Sequence, residues 1–313
     1  MRIVFAGTPE PAVIALQRLL ASSHEVVAVL TRPDARKGRG RALHPSPVKA
    51  LAQAHGIEVL TPVTLRGNEE IAAQLRELAP AAIPVVAYGS LVPESMLDIP
   101  AHGWVNLHYS LLPNYRGAAP VQAAIIAGET TTGVTTFRID EGLDTGDILG
   151  SIEESVQPTD TADDLLTRLA HRGADLLVET MDRLAAGTVV PQPQPQEGSY
   201  APKLTSDAAR VNWNQDAVQI ERAIRAYTPA PGAWTTFAGQ RFKLGPVTVA
   251  DPEHLDQLPP GVLRVSKAEV TVGTGTAPVV LDQVQPPGKK PMKAADWARG
   301  LREAEVESGV NFE

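Results

Sequence analysis

The sequence predicts an α/β chain with a Rossmann-like parallel sheet in its N-terminal part and a smaller all-β domain behind it. Three observations carry this expectation. Over the first half, short apolar runs alternate with helical patterns of about 10–15 residues, as repeated βαβ units do. The Pro- and Gln-rich stretch VVPQPQPQEGS at 189–199 then breaks the alternation. After it come short strand candidates punctuated by Gly and Pro, the spacing of a small barrel or sandwich. At 313 residues the chain is long enough for two domains. The expected partition is 1–188, a linker at 189–204, and 205–313.

RIVFAG (2–7) is an apolar strand that stops at Gly7. It leads into a helix on which Val13, Ile14, Leu16, Leu19 and Leu20 share one face, with Pro9 or Pro11 suited to its first turn. EVVAVLT (25–31) is the second buried strand, PVKALAQAHG a helix closed by Gly56, and IEVL (57–60) a short strand. EEIAAQLREL (69–78) is helical. AAIPVVAYG (81–89) reads as a strand despite Pro84, which has no ladder donor. GWVNLH (103–108) and the alternating TTGVTTFRID (131–140) are further strands. A long helix starts at Thr161, where Asp164 three residues later suggests a capping box, and ends at Gly187. Its Leu165, Leu169, Leu176, Leu177, Met181 and Leu184 form a core stripe. Beyond the linker, WTTFAG, QRFKLGPVTVA, GVLRVSKAEVTVGTG and APVVLDQVQ supply the strands of the second domain.

Composition narrows the function classes. With no cysteine, disulfides, thiolate metal sites and thiol nucleophiles are excluded. The N-terminus lacks the apolar core of a signal peptide and no stretch is long enough to span a bilayer, so a cytoplasmic protein is expected. The net charge of −8 argues against nucleic acid only until its distribution is considered. From Thr205 onward 12 Lys and Arg face 13 Asp and Glu, so the acidity lies in the N-terminal part. Inside that part, Arg32, Arg36, Lys37, Arg39, Arg41 and Lys49 oppose Asp34 alone. A basic loop on an acidic body governs phosphate contact more than net charge does.

Chemistry concentrates in two segments, NLHYSLLPNYRGAAP at 106–120 and DEGLDTGD at 140–147. Asn106 and His108 lie two apart at a strand end, so their side chains project to one face. Asp144 sits in a loop flanked by Gly142 and Gly146, able to bring a carboxylate to that face. A donor amide, a titratable ring and an orienting acid suit acyl transfer through an oxyanion. An Asn-x-His at a strand end, or an Asp-Thr-Gly turn, is ordinarily structural. The long constrained spelling that follows, SLLPNYRGAAP with its lone Arg116, is more than a turn requires. Other chemistries fit poorly. FAGTP lacks GxGxxG, no GK[ST] follows the glycines of KGRGRALHPSP, and His102, His108 and Asp144 have no metal-ligand spacing. Tyr88 and Gly89 end a parallel strand, where ligands of open α/β sheets collect.

On these residues the chain resembles the methionyl-tRNA formyltransferases over nearly its whole length. The match comprises FAGTP at 5–9, TRPD, GRG and PSPVK within 31–49, VVAYG at 85–89, VNLHYSLLPNYRGAAPVQ at 105–122, DEGLDTGD at 140–147, YAPKLTSDAARVNW at 200–213 and ERAIRAYTPAPGAW at 221–234. The resemblance implies a formyltransferase domain followed by an OB-like barrel that lies along tRNA. It implies transfer of the formyl group of 10-formyltetrahydrofolate to the α-amino group of methionine on initiator tRNA, by a monomer and without a metal. Asn106, His108 and Asp144 match the family's catalytic trio. Ser110, Leu111, Leu112 and Pro113 match its folate-contacting stretch, and Val86, Ala87, Tyr88 and Gly89 the edge of its pterin pocket. Asp140 joins this cofactor set. Arg36, Lys37, Arg39 and Arg41 of the basic loop, with Lys289 and Lys290, are the expected tRNA contacts. Tyr109 stands where the family more usually has a small residue or proline, and Pro84 interrupts a strand it usually fills with aliphatics. Rival readings are another folate-dependent formyltransferase or hydrolase acting on a small molecule, and an RNA-binding protein with a dead site.

Overall fold

The structure, a computed structural model, describes residues 1–37, 42–251, 257–266, 268–301 and 311–313. Its contacts gather into two compact units. The first comprises Met1–Pro120, Thr131–Ser155 and Leu166–Ala201; the second comprises Val121–Thr130, Val156–Leu165 and Pro202–Glu313.

The elements of the N-terminal part are β1 (Arg2–Gly7), α1 (Glu10–Leu20), β2 (Glu25–Leu30), β3 (Ala35–Lys37), β4 (Ala42–His44), α2 (Pro47–Ala54), β5 (Glu58–Leu60), α3 (Glu69–Leu78), β6 (Ile83–Val86), α4 (Glu94–Leu97), β7 (Trp104–His108), β8 (Arg116–Gly117), α5 (Pro120–Ala127), β9 (Thr131–Arg138), β10 (Ile148–Ser155), α6 (Ala162–Ala185) and β11 (Tyr200–Ala201). Seven strands form one sheet in the order β10-β9-β7-β6-β1-β2-β5. Its central strands β1 and β6 read as nearly unbroken apolar runs because both faces are covered. In β1, Val4 and Ala6 join a core cluster with Ile71, Ala72 and Leu75 of α3, while Ile3 and Phe5 are fully buried on the opposite face.

The sheet is mixed, and in this it differs from the expected parallel one. β1, β2, β5, β6 and β7 pair parallel, but β9 runs antiparallel to β7 and β10 antiparallel to β9. Pro84 lies inside β6. Its missing N–H falls on the β1 side, where Val4 N bonds Ala82 O at 3.4 Å and continuous pairing begins only at Ala6 and Val85. The sheet therefore loses one bond there and keeps its β7 register.

Helix ends follow the sequence. Ser46 caps α2 by accepting from Lys49 N at 3.0 Å, and Asn68 caps α3 by accepting from Ile71 N at 3.1 Å. At α6 the capping box is present in both directions. Asp164 Oδ2 accepts from Thr161 N at 3.0 Å, and Thr161 Oγ1 accepts from Asp164 N at 3.3 Å. A Thr161→Ala variant is expected to lose about 1 kcal/mol of stability, read from its denaturant midpoint. The stripe from Leu165 to Leu184 is buried as expected. At Gly173 of α6 an added Cβ would lie 2.9 Å from Leu107, so this helix packs directly on β7.

In the second unit α7 (Ala217–Ala226) precedes β12 (Trp234–Phe237), β13 (Gln240–Leu244), β14 (Val247–Val249), β15 (Leu263–Val265), β16 (Val270–Val272), β17 (Val279–Leu281), β18 (Gln283–Gln285), β19 (Met292–Lys293) and α8 (Ala294–Ala298). Two four-stranded antiparallel sheets, β12-β13-β18-β19 and β14-β17-β16-β15, share one core. Phe242, Val272, Val279, Val284 and Ile224 of α7 fill it, and Trp213 stacks on Phe312 with centroids 5.6 Å apart. Beyond the Pro- and Gln-rich stretch the expected small β domain is present, with α7 and α8 added to its sheets.

Candidate active site

The chain runs outward from β1 through β2 to β5, then returns to place β6 and β7 on the other side of β1. Strand order reverses between β1 and β6, and open α/β sheets bind ligands at the carboxyl ends of strands at such a point. Two backbone segments meet there. Thr8 Oγ1, after β1, donates to Tyr88 O, after β6, at 2.8 Å. β7 pairs with β6 through Val85 and Asn106, so Asn106 and His108 lie at the end of the adjacent strand.

His108 is 5% exposed. Its Nε2 lies 2.9 Å from Tyr115 O, and since a carbonyl only accepts, Nε2 carries the hydrogen and donates it. In the neutral ring Nδ1 is then the atom with a free lone pair. That atom faces Asp144 Oδ2 at 3.8 Å. Burial holds the imidazole below its ordinary value of 6.5, against the opposing pull of the Asp144 carboxylate and the Tyr115 carbonyl. The ring is therefore neutral at pH 7 and basic at Nδ1. Its Nε2 hydrogen is already committed.

Asp144 sits on the loop between β9 and β10. Its φ of 54° is left-handed, a conformation costing on the order of 1 kcal/mol for an L residue. Its Oδ2 accepts from Gly117 N at 2.7 Å. Gly117, at φ 111°, tolerates no Cβ: an added one would stand 2.8 Å from Ala201 O. The loop is braced from within by Asp140, which accepts from Gly142 N at 3.0 Å and from Thr145 Oγ1 at 2.8 Å.

The stretch expected as a linker is hydrogen-bonded to the first unit as far as Ala201. Gln192 pairs with Ile148, and Tyr200–Ala201 pairs in parallel with Arg116–Gly117. Gln194 Nε2 donates to Asp144 O at 3.0 Å and to Gly146 O at 2.7 Å. Arg116 is only 2% exposed, and far from standing alone it donates to Gln194 Oε1 at 2.9 Å, Pro195 O at 2.9 Å and Gln196 O at 3.4 Å. Ser199 closes the strap by accepting from Tyr115 N at 2.8 Å.

The residues expected to contact folate divide by exposure. Val86 and Tyr88 are buried, Tyr88 in the core beside Met96 and Trp104, where burial pushes its phenol up to about 12. Ala87 and Gly89 are exposed, with φ of 46° and 82°, and present backbone at the end of β6. Ser110 is fully buried and donates to Asn114 O at 2.6 Å. Leu112 N donates to Thr135 Oγ1 at 3.2 Å, which pins the 110–113 turn to β9. Leu111 and Pro113 remain half-exposed, while Leu112 is buried. Tyr109 is buried too; its hydroxyl has no hydrogen-bond partner among the described residues, and desolvation raises its pKa.

Of the expected tRNA contacts, Arg36 is exposed on β3, whose partner β4 pairs Arg36 with Leu43, and Lys37 ends that strand. Arg39 and Arg41 lie outside the described residues. Lys289 and Lys290 are exposed in the turn between β18 and β19. Among the described residues no group of three or more His, Asp or Glu is placed to hold a metal, and no helix is long and apolar enough to cross a membrane. Sequence reasoning missed Gln194, the Gly117 amide and the Tyr115 carbonyl, since each acts through partners remote in the chain or through backbone alone.

Comparison with known proteins agrees with this architecture. The sequence pattern described as "Formyl transferase" matches residues 1–181, and "Formyl transferase, C-terminal domain" matches 203–302. Methionyl-tRNA formyltransferase of Corynebacterium aurimucosum is 62% identical, covering 96% of this chain and 95% of that protein. Its counterpart in Mycobacteroides abscessus is 58% identical over 98% and 99% of the two chains. Among solved structures, an N-formyltransferase from Helicobacter canadensis in complex with folinic acid and dTDP-3-aminofucose aligns with a TM-score of 0.68 at 19% identity, covering 89% of this chain and 98% of that one. HypX from Aquifex aeolicus in complex with tetrahydrofolic acid aligns at 0.63 and 20% identity, over 99% of this chain and 48% of HypX. At such identities these structures speak for the fold alone. The full-length sequence matches go further: the chain belongs to the methionyl-tRNA formyltransferase family.

Proposed function

We propose that this protein transfers the formyl group of 10-formyltetrahydrofolate to the α-amino group of methionine esterified to initiator tRNA, with Asn106, His108 and Asp144 as its catalytic residues. The observation that carries the reading is His108 Nδ1, neutral and basic, 3.8 Å from Asp144 Oδ2 on the strand that also holds Asn106. The exposed backbone of Ala87 and Gly89 beside the strand-order reversal, with Leu111 and Pro113, fits a flat heterocycle of the folate type. That donor supplies an activated one-carbon carbonyl. Asn106 donates its amide to the charge that develops on the carbonyl oxygen. A free α-amino group titrates near pH 8, so the attacking nitrogen is partly neutral and must shed one proton during reaction. His108 Nδ1 accepts that proton, the Asp144 carboxylate stabilises the resulting imidazolium, and the proton passes on to the folate N10 as its bond to the formyl carbon breaks, releasing tetrahydrofolate.

In this reading residues 1–188 form the catalytic domain, 189–204 the connection, and 205–313 a tRNA-binding domain of a cytoplasmic monomer. Val86, Tyr88, Ser110, Leu112 and Asp140 act on the folate side indirectly, by shaping the backbone around it. Arg36, Lys37, Arg39, Arg41, Lys289 and Lys290 meet phosphate.

The pH dependence follows from the direction of the His108 shift. With the folded value below 6.5, the base stays available at pH 7 and is lost only as pH falls through that lowered value. The substrate amine, titrating near pH 8, sets one acid limb of kcat/KM, and a second, lower limb from His108 is expected below pH 6.5. Stability follows the same sense, complete above pH 6.5 and declining as the unfolded chain takes up the proton first. A pH–rate profile whose lower acid limb falls at or above 6.5 would contradict the assignment.

The assignment is tested by assaying formyl transfer to charged initiator tRNA, uncharged tRNA and free methionine in parallel. Transfer confined to the charged tRNA supports it. Equal transfer to free methionine, or formate release without acceptor, would replace it by the small-molecule or hydrolase reading.

A further inference from the structure

We infer that Gln194 is a positioning residue for the Asp144 carboxylate, holding the acid-bearing loop in its working conformation through its side-chain amide. The inference rests on the role proposed above for Asp144.

The amide uses its whole hydrogen-bonding capacity in one place. Its two N–H hydrogens go to Asp144 O and Gly146 O at 3.0 and 2.7 Å, and its oxygen accepts from Arg116 Nη2 and Nε at 2.9 and 3.3 Å. Because the guanidinium only donates and the carbonyls only accept, the amide has one orientation. Gln194 is also the one half-buried residue in the otherwise exposed run 191–200.

What it grips matters more than how tightly it grips. Asp144 is left-handed, so its backbone must be held from outside. Within the loop Asp140 bonds Gly142 and Thr145, but the carbonyls of Asp144 and Gly146 are held by Gln194. Arg116, buried and fixed by three residues of the strap, supplies the anchor, and the next residue, Gly117, receives the Asp144 carboxylate. Backbone and side chain of the acid are thus referred to two adjacent residues, Arg116 through Gln194 and Gly117 directly. The chain leaves this strap at Ala201 and enters the second unit at Pro202.

The test separates a grip on the loop from a grip on Arg116. Gln194→Glu keeps an acceptor for the guanidinium and gains charge complementarity there, but it loses both donors to the loop. Gln194→Ala removes both functions without adding charge. Both are assayed as full chains with 10-formyltetrahydrofolate and charged initiator tRNA, beside Asp144→Asn. The expected result for Gln194→Glu is a kcat lower by about 10²-fold, with KM for the charged tRNA nearly unchanged and the thermal midpoint retained. In Gln194→Ala the lower, His108 limb of kcat/KM should move to lower pH, because the carboxylate that raises His108 is no longer held beside it. A merely structural glutamine would move neither. Wild-type kcat in Gln194→Glu, or an unshifted His108 limb in Gln194→Ala, overturns the inference while Asp144→Asn remains inactive. An active Asp144→Asn enzyme overturns the proposed role of the acid and this inference with it.

Discussion

Turnover of an Asn106→Ala enzyme is expected to fall by about 10²–10³-fold, the usual loss when one oxyanion donor is removed. Fold and substrate affinity should stay close to wild type. Asn106 lies in the middle of three paired strands, opposite Val85 on β6 and Phe137 on β9, and alanine keeps that backbone ladder whole. Its neighbours Val105 and Leu107 point to the other face and keep their burial. The loss therefore belongs to the chemical step, visible in single-turnover rates with both substrates bound. Near-normal single-turnover rates would remove this amide from the reaction.

Gly146→Ala is expected to be nearly as damaging by a different route. A Cβ at this position would stand 1.7 Å from Arg138 O, a backbone atom at the end of β9 that cannot swing aside. Relieving the overlap moves the loop by more than an ångström, which disturbs Asp144 and the bond from Gln194 to Gly146 O together. A displacement of that size costs about 10²-fold in rate, and overpacking of this kind costs about 1–3 kcal/mol of stability. Thermal melts and kcat measured on one preparation should both fall. Unchanged kcat would mean that the loop's position does not set the rate.

The elements legible in the sequence are those whose pattern is set by burial. β1 and β2 are apolar on both faces, β7 on one, and the stripe of α6 falls on helical spacing between a capping box and Gly187. β10 was not legible. Its burial alternates weakly, with an exposed Glu153 and a half-buried Glu154 on opposite faces of an outer strand, and the resulting ILGSIEES has no apolar run to announce it. Asn106, His108 and Asp144 could be picked out because strand period and glycine flanks constrain them locally. The pairing of Arg116 with Gln194 could not, since it spans 78 residues and the bond from Gln194 to Asp144 spans 50. The repeating Pro-Gln spelling has the composition of a free connection, and only tertiary contact turns it into a strap. The basic loop was legible by charge, which specifies a surface and not a contact.

The loop bearing Asp144 joins β9 to β10, and β10 is the last strand at one margin of the sheet, whereas Asn106 and His108 ride on β7 further in. Margins fray before interiors, so the trio rests on ground of unequal firmness. If the proposed trio is the site, warming is expected to cost activity before the parallel centre of the sheet melts, read as kcat falling below the temperature at which far-UV ellipticity is lost.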